Sequence, residues 1–173
     1  MKKFALSSVF ILTCSLAAWA GPELSGVRWQ YSPGLKPAVK HKFSDAQEIK
    51  IPVDGKMQGL LRAMVSLENK TGKDSGGIVL RVAVSARLIR AASPEQPGVW
   101  DLPFWIDERR VAELKAGAKK EAPIPNIDLQ KYLKRMQKTG YWIDALKIQL
   151  AVEPRAGEDF GSNMSEALLN VTR

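Results

Sequence analysis

The chain of 173 residues carries 26 Lys+Arg against 18 Asp+Glu, a formal net charge of +8, and holds one histidine and one cysteine. That length suits a single domain with a sizeable core. A single histidine excludes multi-histidine metal sites, and a single cysteine excludes multi-thiolate ones.

Met1, Lys2 and Lys3 give a positive start, residues 4–12 an apolar run, and Ala18-Trp19-Ala20 before Gly21 a small-x-small cleavage site. This is the three-part pattern of a bacterial secretory signal peptide. Thr13, Cys14 and Ser15 interrupt the apolar run well short of the roughly 20 residues a membrane span needs. Ile11-Leu12-Thr13-Cys14 also resembles the box at which lipoproteins are cut and acylated, but Thr13 fits poorly before the cysteine. Cleavage after Ala20 is therefore expected, with 1–20 a signal peptide and 21–173 a single domain. The expected location is the periplasm or cell surface of a Gram-negative bacterium, with no transmembrane span in the mature chain. Cys14 departs with the signal, so stability must come from packing and not from a disulfide. Lys2 and Lys3 depart too, but the balance stays basic, which for an exported protein points to anionic surfaces or acidic partners and not to nucleic acid.

In the mature chain, Val27, Trp29 and Tyr31 alternate with Arg28 and Gln30 as a first strand, and residues 35–45 read as a loop or irregular edge segment. Ile49, Ile51 and Val53 alternate next, with Pro52 confining the strand to an edge or an end, before a turn at Asp54-Gly55. Leu61, Ala63, Val65 and Leu67 face one way against Arg62, Ser66 and Glu68. The polar, glycine-rich stretch 69–77 then leads into the strongest strand, 78–90, where Ile78, Leu80, Val82, Val84, Ala86 and Leu88 share a face. These two strands read as a long hairpin. Trp100, Leu102, Phe104 and Ile106 alternate after a Pro-containing loop, with Pro103 marking an edge or bend.

Asp107 is placed to cap a short helix over 108–116 ended by Gly117. A second helix starts at Asn126 or Asp128, with Leu129, Tyr132, Leu133 and Met136 at i, i+3, i+4 and i+7 and a stop at Gly140. Trp142, Leu146, Ile148, Leu150 and Val152 form the next strand, and residues 167–171 a last strand or helical turn. Alternating strands with one firm helix predict a mainly β protein: an antiparallel, immunoglobulin-like β-sandwich with an amphipathic helix between late strands. An open α+β sheet and an OB-like barrel are the alternatives. The expected core is Leu61, Val65, Leu80, Val82, Val84, Leu146, Ile148 and Leu150.

Residues able to carry chemistry are few. His41, between Lys40 and Lys42 in a proline-bounded loop, has no oriented neighbour in sequence to make it a base. Asp101, Asp107 and Asp144 are the acids from which a glycosidase-type pair would be assembled, but nothing in their spacing specifies one. No nucleophile elbow, phosphate-cradling loop, metal-ligand pattern or cofactor motif is present, so no catalytic residue, cofactor or metal is assigned. Phe104-Trp105-Ile106-Asp107 and Tyr141-Trp142-Ile143-Asp144 repeat an aromatic pair before Ile-Asp and read as two strand ends built alike. Trp100, Trp105, Tyr141 and Trp142 are the candidate interaction surface, as a platform for a partner or a sugar ring; the competing assignment is the inter-sheet core. Lys131, Lys134, Arg135 and Lys138 share the polar face of the helix and are the candidate anion-binding residues. Three glycosylation-type triplets, beginning at Asn69, Asn163 and Asn170, carry no weight in a bacterial setting.

The segments L-L-R-A-M-V-S-L-E-N-K and I-V-L-R-V-A-V-S-A-R-L, joined by a glycine-rich loop and followed by P-F-W-I-D-E-R-R and Y-W-I-D-A-L-K-I-Q-L, resemble small exported immunoglobulin-like β-sandwich proteins of bacterial pilus or cell-envelope assemblies. The resemblance implies a structural or recognition role without catalysis and transfers no functional residue. The expected function is thus a non-catalytic envelope protein that binds envelope or pilus-type proteins. A carbohydrate-binding module using exposed aromatic residues is the alternative, with a glycan as ligand.

Overall fold

A computed structural model describes residues 21–34, 42–52, 56–125, 127–153 and 163–173. The expected signal peptide with its lipoprotein-like box, His41, the Asp54-Gly55 turn and Asn126 lie outside the described residues.

The described chain runs β1 (Glu23–Pro33), β2 (Ser44–Asp45), β3 (Glu48–Lys50), β4 (Gly59–Glu68), β5 (Ser75–Arg90), β6 (Val99–Trp100), β7 (Trp105–Leu114), β8 (Lys119–Ile124), α1 (Leu129–Lys138), β9 (Tyr141–Val152) and β10 (Met164–Thr172). One sheet has the order β2-β1-β4-β8; the other has β3-β10-β9-β5-β6, with β7 also paired to β5. All pairings are antiparallel except that of β3 with β10. With β1, β4 and β8 taken as strands A, B and E, and β5, β9 and β10 as C, F and G, this is the immunoglobulin-like sandwich order, and β6 with β7 supplies the extra edge beside C.

The alternation read from the sequence is what builds the core. Leu61, Ala63, Val65 and Leu67 of β4 face Leu80, Val82, Val84 and Ala86 of β5, joined by Leu146, Ile148 and Leu150 of β9, and all are buried. All eight expected core residues are among them. Trp29 of β1 spans the layers, its indole N–H donating to the Ala167 carbonyl of β10 at 3.1 Å.

Several expectations change. β4 and β5 do not form a hairpin: they belong to different sheets, and the connection between them arches across the sandwich. Buried Asn69 organises that arch. Its side-chain amide donates to the carbonyls of Lys73, Leu114 and Lys115 at 2.9, 3.0 and 3.2 Å, and its Oδ1 accepts from the Thr71 backbone N–H and hydroxyl. The first glycosylation-type triplet is therefore an internal clamp. The helix expected over 108–116 is strand β7, because β5 offers it a long ladder from Ser75 opposite Leu114 to Val84 opposite Trp105. Gly117, at φ +67, turns the chain into β8 and the other sheet, a strand for which the sequence supplied no reading. Ser44–Asp45, in the stretch expected as a loop or irregular edge segment, is a two-residue edge strand paired with Gln30 and Tyr31 of β1. The first strand extends to Glu23, with an irregularity at Leu24/Gly26, and residues 167–171 belong to strand β10.

The helix formed as expected. Leu129, Tyr132, Leu133 and Met136 are buried, and Gly140 at φ +78 ends it.

Candidate interaction surface

β6 and β7 lie along the same side of β5 but are out of step. Trp100 is opposite Arg87 and Trp105 opposite Val84, so five steps on the edge face three on β5. Two residues are surplus, and Leu102 and Pro103 are pushed into solvent. Pro103 has no N–H to offer a ladder, which suits it to this position. Backbone bonds close the neck of the bulge, from Asp101 N–H to the Ala86 carbonyl and from Phe104 N–H to the Val84 carbonyl, both 2.9 Å. Gly98 lets β6 come in close, since a Cβ there would sit 2.9 Å from Arg87 Cγ.

α1 clasps the bulge from one side. The Tyr132 hydroxyl donates to Asp101 Oδ2 at 2.6 Å, while Asp101 Oδ1 accepts the Leu102 N–H at 2.9 Å. Phe104 stacks on the Tyr132 ring, centroids 4.2 Å apart and planes 16° from parallel. Burial pushes the Tyr132 hydroxyl pKa above its ordinary value, and the Asp101 carboxylate beside it adds to the shift. The result is a rigidly held apolar projection: Leu102 is 81% exposed, Ile106 73% and Val99 71%. Exposed apolar side chains grouped this way mark an interaction surface.

Beside it, one extra residue on β9 re-aims a carboxylate. Arg87 is opposite Ala145 and Leu88 opposite Ile143, so Asp144 bulges and meets Arg87 in a bidentate pair at 2.8 to 3.1 Å. That hydrogen-bonded carboxylate raises the Arg87 pKa. The Arg87 guanidinium also lies 5.8 Å from the Trp100 ring centre and the Lys147 ammonium 4.8 Å from it.

The four aromatic candidates occupy different settings. Trp100 is at the surface, with the Arg87 and Lys147 cations near its ring. Trp105 and Tyr141 are partly buried and pack against the core. Trp142 is half-buried, with the Arg173 guanidinium 4.0 Å from its ring centre. Both aromatic groups do stand at strand ends, since β7 begins at Trp105 and β9 at Tyr141. The three acids are each engaged separately: Asp101 by Tyr132, Asp107 by Arg109 at 2.7 Å, and Asp144 by Arg87. Lys131, Lys134, Arg135 and Lys138 are all exposed on α1, and the Arg135 guanidinium lies 5.1 Å from the Tyr132 ring centre. The sequence reading had residues 99–104 as an edge strand able to accept a partner and Leu102 and Ile106 on one face with Trp100 and Phe104, but not Val99, Leu102 and Ile106 as an exposed projection; Gly98 and Pro103, bracketing a short aromatic strand, were the available signal.

The sheet edges differ in length and composition. β2 has two residues, β3 three with Pro52 soon after, and β8 contains Pro123, whereas β7 runs for ten residues without proline and, among the described residues, pairs only with β5. A shallow hollow between β9 and β10 is lined by Gln149, Met164, Ser165 and Glu166. Among the described residues no group of three or more His, Cys, Asp or Glu is placed to hold a metal ion, and no helix is long and apolar enough to cross a membrane.

These features define the class: an immunoglobulin-like β-sandwich with, among the described residues, one long unpaired edge and an apolar bulge held against a basic helix. No protein-family model matches the sequence, and no curated protein matches it.

Proposed function

We propose that the protein is a non-catalytic, exported component of a bacterial cell envelope, and that it docks a partner protein along the edge of β7. The observation that carries this reading is β7 itself, a ten-residue, proline-free strand that among the described residues is paired on one side only, with Ile106 standing exposed beside the Leu102 projection. An extended partner segment added there would gain main-chain hydrogen bonds, and its apolar side chains would cover Ile106. The N-terminal signal pattern supports export, and the resemblance to pilus and envelope sandwich proteins supports an assembly partner.

The test is a pull-down from envelope extracts run beside a glycan array. The expected outcome is recovery of discrete envelope proteins, lost in Ile106→Lys, with no sugar bound. Sugar binding abolished by Trp100→Ala with the fold retained would establish the carbohydrate module in its place. Turnover of a glycan or ester by the purified chain would overturn both readings.

A further inference from the structure

We propose that the exposed face of α1 and the Leu102 bulge together form a docking surface for an anionic lipid bilayer, separate from the β7 edge. The first observation is a contrast in how the cations are used. On the strands and their connections, Arg28, Lys70, Arg81, Arg87, Arg109, Arg110, Lys115 and Lys119 each lie within 4.0 Å of a carboxylate, whereas strand cations such as Lys120 and Lys147 have no ion pair among the described residues but stand in segments that also carry acids. On α1, Lys131, Lys134 and Lys138 are exposed, and among the described residues none is in an ion pair. The sequence holds no acid between Asp128 and Asp144. The helix therefore presents one sign of charge that the protein itself leaves uncompensated.

The second observation is position. Tyr132 joins the two features: Arg135 lies over its ring, while its hydroxyl holds Asp101 and its ring stacks on Phe104, the two ends of the bulge. Leu102 and Pro103, exposed between Asp101 and Phe104, are thus tethered to the helix at the residue over which Arg135 lies. A convex apolar tip beside flexible lysines matches a bilayer, which yields to the tip and offers many phosphates to the ammonium groups without fixed geometry. An acidic protein would instead need a socket shaped for Leu102, and the single-point charges of lysine would give it little orientation.

The experiment is co-sedimentation of the full chain with vesicles of phosphatidylcholine alone or mixed with phosphatidylglycerol, over a series of NaCl concentrations. The apolar residues 4–12 are present in every variant, so the difference between variants is the reading. Binding is expected to require phosphatidylglycerol and to weaken with salt. Each cation at such a surface contributes roughly a fivefold factor in partitioning, so Lys131→Glu with Lys134→Glu should weaken binding by about twentyfold or more. Leu102→Ser should weaken it at unchanged charge, with the circular-dichroism spectrum unaltered in both. Ile106→Lys, aimed at the strand edge, should bind vesicles at least as well as the wild type even where it loses the protein partner. Equal binding by the wild type and the charge-reversed chain would overturn the proposal. So would indifference to phosphatidylglycerol, or loss of an acidic protein partner in the charge-reversed chain with vesicle binding unchanged.

Discussion

Tyr132→Phe tests the clasp that positions the bulge. The substitution removes one oxygen and leaves a phenyl ring of the same shape, so the stack on Phe104 and the burial of the ring persist. What is lost is a 2.6 Å hydrogen bond from a buried hydroxyl to a carboxylate. Bonds to a charged partner contribute about 1.5 to 3 kcal/mol, and Asp101 is only half-buried, so water can take the freed oxygen; the expected cost is near the lower end, about 1.5 kcal/mol. Against a total stability of about 5 to 15 kcal/mol this gives a measurable drop in urea midpoint at unchanged slope. Tyr132→Ala, which also removes the stacked ring, should cost about 3 to 5 kcal/mol. The pH dependence gives a second reading. The Tyr132 pKa is raised in the folded state, so its contribution is complete below the ordinary value of 10.0 and is lost as pH rises beyond it. The gap between wild type and Tyr132→Phe should therefore narrow above pH 10.0. A neutral Tyr132→Phe, or a double-mutant cycle with Asp101→Asn showing no coupling, would refute the clasp.

Asn69→Ala breaks the clamp between the β4–β5 arch and the β7–β8 turn, leaving the buried Leu114 carbonyl without its side-chain donor, and should cost about 3 kcal/mol in urea unfolding. Val82→Asp puts an unpaired charge between the sheets and should prevent folding, as a spectrum without β structure would report; Arg81→Asp, which loses an exposed pair with Glu153 and sets a like charge opposite Glu108, should still fold, at a cost of about 1 kcal/mol. Asp74 is held below its ordinary pKa of 3.8 by Lys115 and the Ala116 N–H, and Asp45 by Gln30 and Arg28. Depressed carboxylates stabilise above the unfolded pKa, so thermal stability should fall as pH drops below 3.8, and the fall should be shallower in Asp74→Asn.

What the sequence makes legible follows from whether a residue's role is set by its neighbours in the chain or by a strand that arrives from elsewhere. The alternation from Ile78 to Leu88 and the stripe Leu129, Tyr132, Leu133, Met136 are local periodicities, and each became the element it announced. β7 carries a composition that a helix tolerates equally well. Its apolar positions Val111 and Leu114 are three apart, and only the ladder from β5 selects the strand. The same alternation was nevertheless present in Trp105, Asp107, Arg109 and Val111 against Ile106, Glu108 and Arg110, diluted by two charges on the less exposed side that pair with each other. Whether β4 and β5 pair or arch apart was not legible, because a glycine-rich connection of that length serves both, although the Asn69-Lys70-Thr71 triplet was already the clamp that favours the arch. The site was the least legible part. Its apolar tip exists because β6 and β7 are two residues out of register on a shared partner, and a register offset belongs to a pair of strands and to neither alone. Period two placed Leu102 with Trp100, Phe104 and Ile106 as one face of one strand; the offset turned that face into a projection, and Tyr132, read from its spacing as a core residue, supplies the hydroxyl that holds it.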